Sequence, residues 1–271
     1  MTVARRHVLV IGMGAGDPEH LTLAAVAALG RTDVFLVLDK GPEKDSLVRA
    51  RRDILDRHAK ADHRLVGIRD PERRRDVADT PAYHAAVRVW RERRTDAYER
   101  AVRDELAPGE CGAVLVWGDP ALYDGTIDIL DDVAARGGVD FDYEVIPGIS
   151  SVSALAARHR TTLTQVGRPL HITPGRYFTE ELADLTGSGG DIAVMLDAHQ
   201  AFTRLPGDDM WIYWGAYVGT PDEILVSGRL SDVADRIVAL RAEARARHGW
   251  IMDTYLLRPC RDDPAEEPPG A

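Results

Sequence analysis

The chain has 271 residues, 45% of them hydrophobic, which is enough to bury one large core or two ordinary ones and excludes disorder for most of its length. Its formal charge of -10 opposes non-specific attraction to nucleic-acid phosphates, yet 34 lysines and arginines still suffice for a local basic pocket around a small anion. Cys111 and Cys260 stand far apart, outside any CxxC or Cys/His cluster, so disulfide and zinc readings have no support and a reducing cytosol fits best.

Arg5 and Arg6 precede an apolar run too short for a secretory leader, and no run approaches the roughly 20 residues of a membrane helix. His7 to Ile11 and Val34 to Leu38 are continuous aliphatic runs, the first stopped by glycines and the second by Asp39-Lys40-Gly41; both predict strands buried on two faces. Between them, Leu21 to Leu29 predicts a helix entered through Asp17-Pro18. This strand, helix, strand unit commits the first half to a parallel sheet. Residues 69 to 107 alternate charges around Tyr83, Val87, Trp90, Tyr98 and Val102, the spacing of an amphipathic helix with a solvated face. Further strands are expected at Ala113 to Trp117 and Tyr143 to Ile146.

Beyond Pro147-Gly148 the pattern changes. A small-residue helix, Ser150 to Ala157, leads to strand-like pieces at Leu170 to Thr173, Ile192 to Leu196, Trp211 to Tyr217 and Ile224 to Val226. A helix from Ser231 to about Arg247 precedes a last strand, Ile251 to Leu257. The expected organisation is an α/β domain over residues 1–148, a second over 149–258, and an acidic, proline-rich tail over 259–271 with almost nothing to bury.

Five short motifs carry the chemistry. Gly12-Met13-Gly14-Ala15-Gly16-Asp17-Pro18 follows the first strand, but Asp17 stands where a dinucleotide fingerprint needs its third glycine, and no Lys-Ser/Thr follows to make a P-loop. A carboxylate at the helix entrance also opposes a phosphate there. Gly118-Asp119-Pro120-Ala121-Leu122-Tyr123-Asp124-Gly125-Thr126 lies at a strand's carboxyl end, where ligands of open α/β sheets gather; Asp119 and Pro120 could equally be the Ncap and N1 of a helix. Ser150 and Ser151 could cap a helix or hold a ligand. Val194-Met195-Leu196-Asp197 reads alone as core, and Thr220-Pro221-Asp222-Glu223 alone as a hairpin turn.

Taken in order, GMGAGDP, GDPALYDGT, PGISS, MLDA and GTPDE resemble the tetrapyrrole (corrin/porphyrin) methylase family over nearly the whole chain. The longer runs LVIGMGAGDPEHLT, FLVLDKG, DYEVIPGISSVSALAARHR and HGWIMDTYLL look like its deacetylating branch in cobalamin biosynthesis. The resemblance implies a two-domain α/β fold, with a mostly parallel N-terminal sheet flanked by helices, a mixed-sheet C-terminal domain and an active site in the trough between them. It implies S-adenosylmethionine as methyl donor, S-adenosylhomocysteine as product, and cofactor contacts from Gly118, Asp119, Leu122, Ser150, Ser151, Met195, Leu196, Tyr217, Val218 and Thr220, mostly through backbone. The glycine loop, with Gly14 and Gly16, would face the substrate. The expected partner is a small tetrapyrrole, with no nucleic acid, membrane or metal, in a cytoplasmic homodimer.

The same resemblance implies methylation at macrocycle carbon 1 with hydrolytic release of an acetyl group as acetate. Methyl transfer from a sulfonium is an in-line displacement for which positioning carries the rate. Hydrolysis needs a base, for which Asp39 and Asp124, the latter beside Tyr123, are placed at strand ends; either could instead be a loop carboxylate or a cap. The substrate's carboxylates call for cations, and Lys40, Arg158, Arg160, Arg168 and Arg176 are candidates by charge and location. Competing readings are a methylase for a different precorrin position, for diphthamide or for ribosomal RNA, a nicotinamide-binding oxidoreductase, and a binding protein that keeps only the fold.

Overall fold

A computed structural model describes residues 4–39, 45–72, 80–175, 189–205 and 209–260. The chain divides into two compact units, Met1–Ile149 and Ser150–Ala271.

The first unit runs β1 (Arg6–Gly12), α1 (Leu23–Arg31), β2 (Val34–Asp39), α2 (Asp45–His58), β3 (Arg64–Arg69), α3 (Thr80–Glu105), β4 (Cys111–Val116), α4 (Thr126–Arg136) and β5 (Phe141–Ile146). The strands form one parallel sheet in the order β3-β2-β4-β1-β5. Successive side chains of a strand point to opposite faces, and the central strands bury both. Leu9, Ile11, Phe35 and Leu115 pack with Ala28 and Leu29 of α1 and Ile54 of α2. Val8, Val10, Leu36 and Val114 pack on the other face with Tyr98 and Val102 of α3 and Leu130 of α4. This two-sided burial is why β1, β2 and β4 read as unbroken aliphatic runs.

The chain leaves β1 through α1 on one face and leaves β4 through α4 on the other. Their loops therefore diverge at the carboxyl edge, the switch point at which open α/β sheets bind ligands.

The second unit runs α5 (Ser151–Arg158), β6 (Leu170–Pro174), β7 (Asp191–Met195), β8 (Met210–Ala216), β9 (Ile224–Arg229), α6 (Leu230–His248) and β10 (Asp253–Pro259). Its sheet order is β6-β7-β10-β8-β9, with β6 and β7 parallel and the other pairs antiparallel. Trp214, Tyr255, Phe202, Ile212 and Leu257 form its core with Leu230 and Ile237 of α6. Register places Met195 opposite Thr254 and Ala216 opposite Asp253, so the ends of β7 and β8 and the start of β10 share one edge.

Several local expectations are corrected. Asp17 caps a short 3-10 turn, Pro18–His20, and α1 starts only at Leu23, after Thr22 accepts the Ala25 N–H at 3.1 Å. Asp119 caps no helix: it closes the turn at Ala121, and α4 begins at Thr126. The last strand is shifted two residues, starting at Asp253, and Met252 just before it accepts the Tyr217 N–H at 2.9 Å. The charged region expected to be helical from 69 begins instead with the final residue of β3.

Candidate functional site

In the first unit, three strand ends are drawn together by glycines. A Cβ added to Gly12, the last residue of β1, would stand 2.6 Å from Gly148 N and 2.9 Å from Gly118 O, and one added to Gly148 would stand 2.1 Å from Gly118 O. No larger residue fits at either position. Gly14 and Gly118 then exchange backbone hydrogen bonds of 3.3 and 2.8 Å in an isolated bridge, with Gly118 at φ +72°, a conformation that costs glycine nothing. Asp119 completes the junction, one oxygen accepting Ala121 N–H at 2.7 Å and the other accepting Gly148 N–H at 3.0 Å.

This loop holds Leu122 half-buried and Tyr123 exposed, and Tyr123 sits at φ +54°, a left-handed geometry that a non-glycine side chain adopts at a cost. Asp124 turns one oxygen to the Thr126 N–H at 2.8 Å, opening α4, and stays exposed. Gly16 follows at φ +152°, on the loop that continues to the turn at Pro18.

In the second unit, Ser150 caps α5 by accepting the Ser153 N–H at 3.2 Å, and Ser151 is the first helical residue. At the end of β7, Met195 is half-buried while Leu196 is 59% exposed at φ +53°, its apolar side chain standing in solvent on a strained backbone. Strain of this kind concentrates at ligand clamps. Asp197 supports the loop from beneath: buried, it accepts N–H bonds from His199 at 3.0 Å and Ala201 at 2.6 Å and the Tyr255 hydroxyl at 2.8 Å. Burial and the neighbouring Asp197 charge push the Tyr255 phenol well up, so it remains the donor. Gly175 presses against Asp197 so closely that a Cβ there would meet Asp197 Cβ at 2.4 Å.

After β8, Tyr217 and Val218 are buried, and Tyr217 has φ +51°. Tyr217 donates its hydroxyl to Trp250 O at 2.5 Å, and its own carbonyl accepts both the N–H and the hydroxyl of Thr220 at 2.9 and 2.8 Å. Glu223 accepts the Gly219 N–H at 2.8 Å and pairs with Arg158 at 2.5 Å. Beneath the same edge, the buried pair Arg241–Asp253 at 2.9 Å also receives the Trp214 indole N–H at 3.0 Å. Burial dominates at Asp253 and raises its carboxyl pKa against the opposing pull of Arg241.

The predicted cations divide. Arg158 pairs with Glu223, and Arg168 donates to Gly189 O at 2.6 Å. Arg160 is exposed at φ +54°. Asp39 closes β2 opposite Arg69, but its side chain, with Lys40 and Arg176, lies outside the described residues. Sequence reasoning missed Asp197 and Glu223 as supports, since an acidic residue's inward direction is not encoded in its spacing. Among the described residues no group of three His, Cys, Asp or Glu side chains could hold a metal ion, and no helix is long and apolar enough to cross a membrane.

Three strand-end loops, one in the first unit and two in the second, each hold a non-glycine residue in the left-handed region, at Tyr123, Leu196 and Tyr217. A parallel sheet and a mixed sheet carrying such loops are the architecture of a tetrapyrrole methylase. The chain belongs to that family: the model described as Tetrapyrrole (Corrin/Porphyrin) Methylases matches residues 7–234. It is a methyltransferase that uses S-adenosylmethionine.

Among its relatives, a precorrin-6A synthase (deacetylating) from Sinorhizobium sp is 46% identical over 254 residues, 93% of this chain and 95% of that protein. A cobalamin-synthesis-related protein from Corynebacterium diphtheriae superposes with TM-score 0.81 at 32% identity, covering 95% of this chain and 100% of that one. A uroporphyrin-III C-methyltransferase from Thermus thermophilus, solved with S-adenosylhomocysteine, shares the fold at TM-score 0.52 and 19% identity, over 93% and 92% of the two chains.

Proposed function

We propose that this chain methylates precorrin-5 at carbon 1 and releases the acetyl group as acetate, giving precorrin-6A in cobalamin biosynthesis. The observation that carries this reading is the 46% identity to a deacetylating precorrin-6A synthase across 93% of the chain. The same reading takes the enzyme to be a cytosolic homodimer, which sedimentation of the purified protein checks.

S-adenosylmethionine, when bound, supplies an electrophilic methyl carbon. The proposed holders are Gly118, Asp119, Leu122, Ser150, Ser151, Met195, Leu196, Tyr217, Val218 and Thr220. Tyr217 and Val218 are buried, so what they offer is backbone, while Leu196 offers an exposed apolar surface. Rigid loops of this kind lower the barrier by fixing the reacting carbons in line before reaction. The junction of Gly12, Gly118 and Gly148 supplies that rigidity, because its contacts leave no slack.

Loss of the acetyl group adds water to the ketone and breaks the bond to the macrocycle, whose carbon keeps the electron pair while acetate departs. Asp124 is suited to take the proton from that water, since one of its oxygens is held by Thr126 and the residue is exposed. Tyr123 beside it offers a hydroxyl to the developing oxyanion. Asp39 is the alternative base. Gly14 and Gly16 present backbone to the substrate, with Arg160, Lys40 and Arg176 as cations for its carboxylates. Asp124→Asn and Asp39→Asn, assayed for acetate release, test the assignment: if both release acetate at the parental rate, it is wrong.

A further inference from the structure

Arg241 stands on the core-facing side of α6 with Leu230, Ile237 and Ala244, at the spacing of an apolar stripe, and is only 6% exposed. An aliphatic side chain at that position would complete the core. The arginine instead reaches the edge of the second unit's sheet and holds two elements at once. Its Nε donates to Asp253 Oδ2 at 2.9 Å, and one Nη donates to the Asp197 backbone carbonyl at 2.7 Å and to Asp253 Oδ1 at 3.4 Å.

Each partner adjoins a loop of the proposed cofactor site. Asp197 directly follows Leu196, at φ +53°, and its carboxylate already accepts from His199, Ala201 and the Tyr255 hydroxyl, so the guanidinium fixes the residue from its backbone side. Asp253 opens β10 opposite Ala216, and Met252 before it accepts the N–H of Tyr217, at φ +51°, where the next loop leaves β8. The two loops leave strands that are not neighbours, since β10 lies between β7 and β8. Their spacing is therefore set through β10 and through this one side chain.

Stability alone is a poor reason for such a pair: exchanging a buried ion pair for apolar residues of similar volume is often neutral or stabilising, whereas removing one partner leaves a buried charge uncompensated. What a rigid planar fork adds is direction. We infer that Arg241 is a positioning residue for methyl transfer, setting the spacing of the Leu196 and Tyr217 loops and through them the seat of S-adenosylmethionine. It acts from within the core, through the Asp197 carbonyl and through Asp253. The inference rests on the proposed assignment of those loops as cofactor holders.

The test compares wild type with Arg241→Lys, Arg241→Met, the double variant Arg241→Met/Asp253→Leu, and Leu196→Gly. Tm, calorimetric Kd for S-adenosylhomocysteine and KM for each substrate are measured. Arg241→Lys keeps a cation beside Asp253 but ends one bond short of the atom that reaches Asp197 O. It should melt within about 5 °C of wild type, while Kd and the S-adenosylmethionine KM rise about tenfold and the precorrin-5 KM stays within about twofold. A merely structural role would lower the folded fraction, hence kcat, and leave both KM values where they were. Arg241→Met strands the Asp253 charge and should melt well below wild type; the double variant should regain much of that stability and still bind S-adenosylhomocysteine weakly. Normal affinity in Arg241→Lys, or affinity that returns together with Tm in the double variant, overturns the inference. If Leu196→Gly also binds normally, the loop assignment falls with it; if Leu196→Gly alone binds weakly, the loops stand and Arg241 serves only the core.

Discussion

Asp119 joins two strand ends with one carboxylate: it closes its own turn at Ala121 and reaches Gly148, beyond β5, with a 3.0 Å hydrogen bond. Asp119→Asn keeps an acceptor on one side and turns an N–H toward an N–H on the other. The expected result is a loss of about 1 to 3 kcal/mol by denaturant unfolding and about a tenfold weaker S-adenosylhomocysteine affinity by calorimetry. Unchanged values for both would show that the junction does not depend on this carboxylate.

Gly148→Ala tests the junction from its other side. The new methyl would lie 2.1 Å from Gly118 O and 2.9 Å from Gly12 Cα, atoms of backbone that cannot swing away. Overpacking of this severity is expected to cost about 3 kcal/mol or more, above the usual range for an inserted methyl. Gly125→Ala, where the Cβ meets nothing within 4 Å, is the control and should cost less than about 1 kcal/mol. Equal melting temperatures for the two variants would contradict the packing described.

Leu196 offers the opposite sign. It is 59% exposed at φ +53°, so Leu196→Gly relieves backbone strain and exposes no core. Stability should hold or rise by up to about 1 kcal/mol while S-adenosylhomocysteine binds about tenfold more weakly. A variant that is destabilised and binds normally would mean that the residue serves packing alone.

His159 gives the fold a pH dependence. Burial lowers its pKa, and its Nε2 bonds Trp214 O at 3.0 Å, placing the proton of the neutral ring on that nitrogen. With the folded value below the unfolded one of about 6.5, the unfolded chain holds the extra proton between the two, so this contribution is complete above about pH 6.5 and is lost as pH falls below it. Unfolding free energies measured from about pH 8 to about pH 5 should decline more steeply in wild type than in His159→Gln. Parallel curves would contradict the assignment.

The central strands were legible in the sequence because two-sided burial leaves uninterrupted aliphatic runs, as at Leu9, Val10 and Val114. The edge strand β3, which carries Leu65 at 60% exposure, has no such run, and it escaped the sequence reading together with the charged α2 beside it. The five motifs marked the strand-end loops, since a glycine after an aliphatic run needs little context. What sequence could not show was direction: that Arg158 turns to Glu223, or that Asp197 points inward to Tyr255. Those facts depend on strand order, which local spacing does not encode.

The most direct test of the proposed activity is incubation of the purified protein with precorrin-5 and methyl-labelled S-adenosylmethionine, with the macrocycle and free acetate both quantified. One labelled methyl at carbon 1 for each acetate released is the predicted result. Label in the macrocycle without acetate would contradict it and leave a methylase of another position.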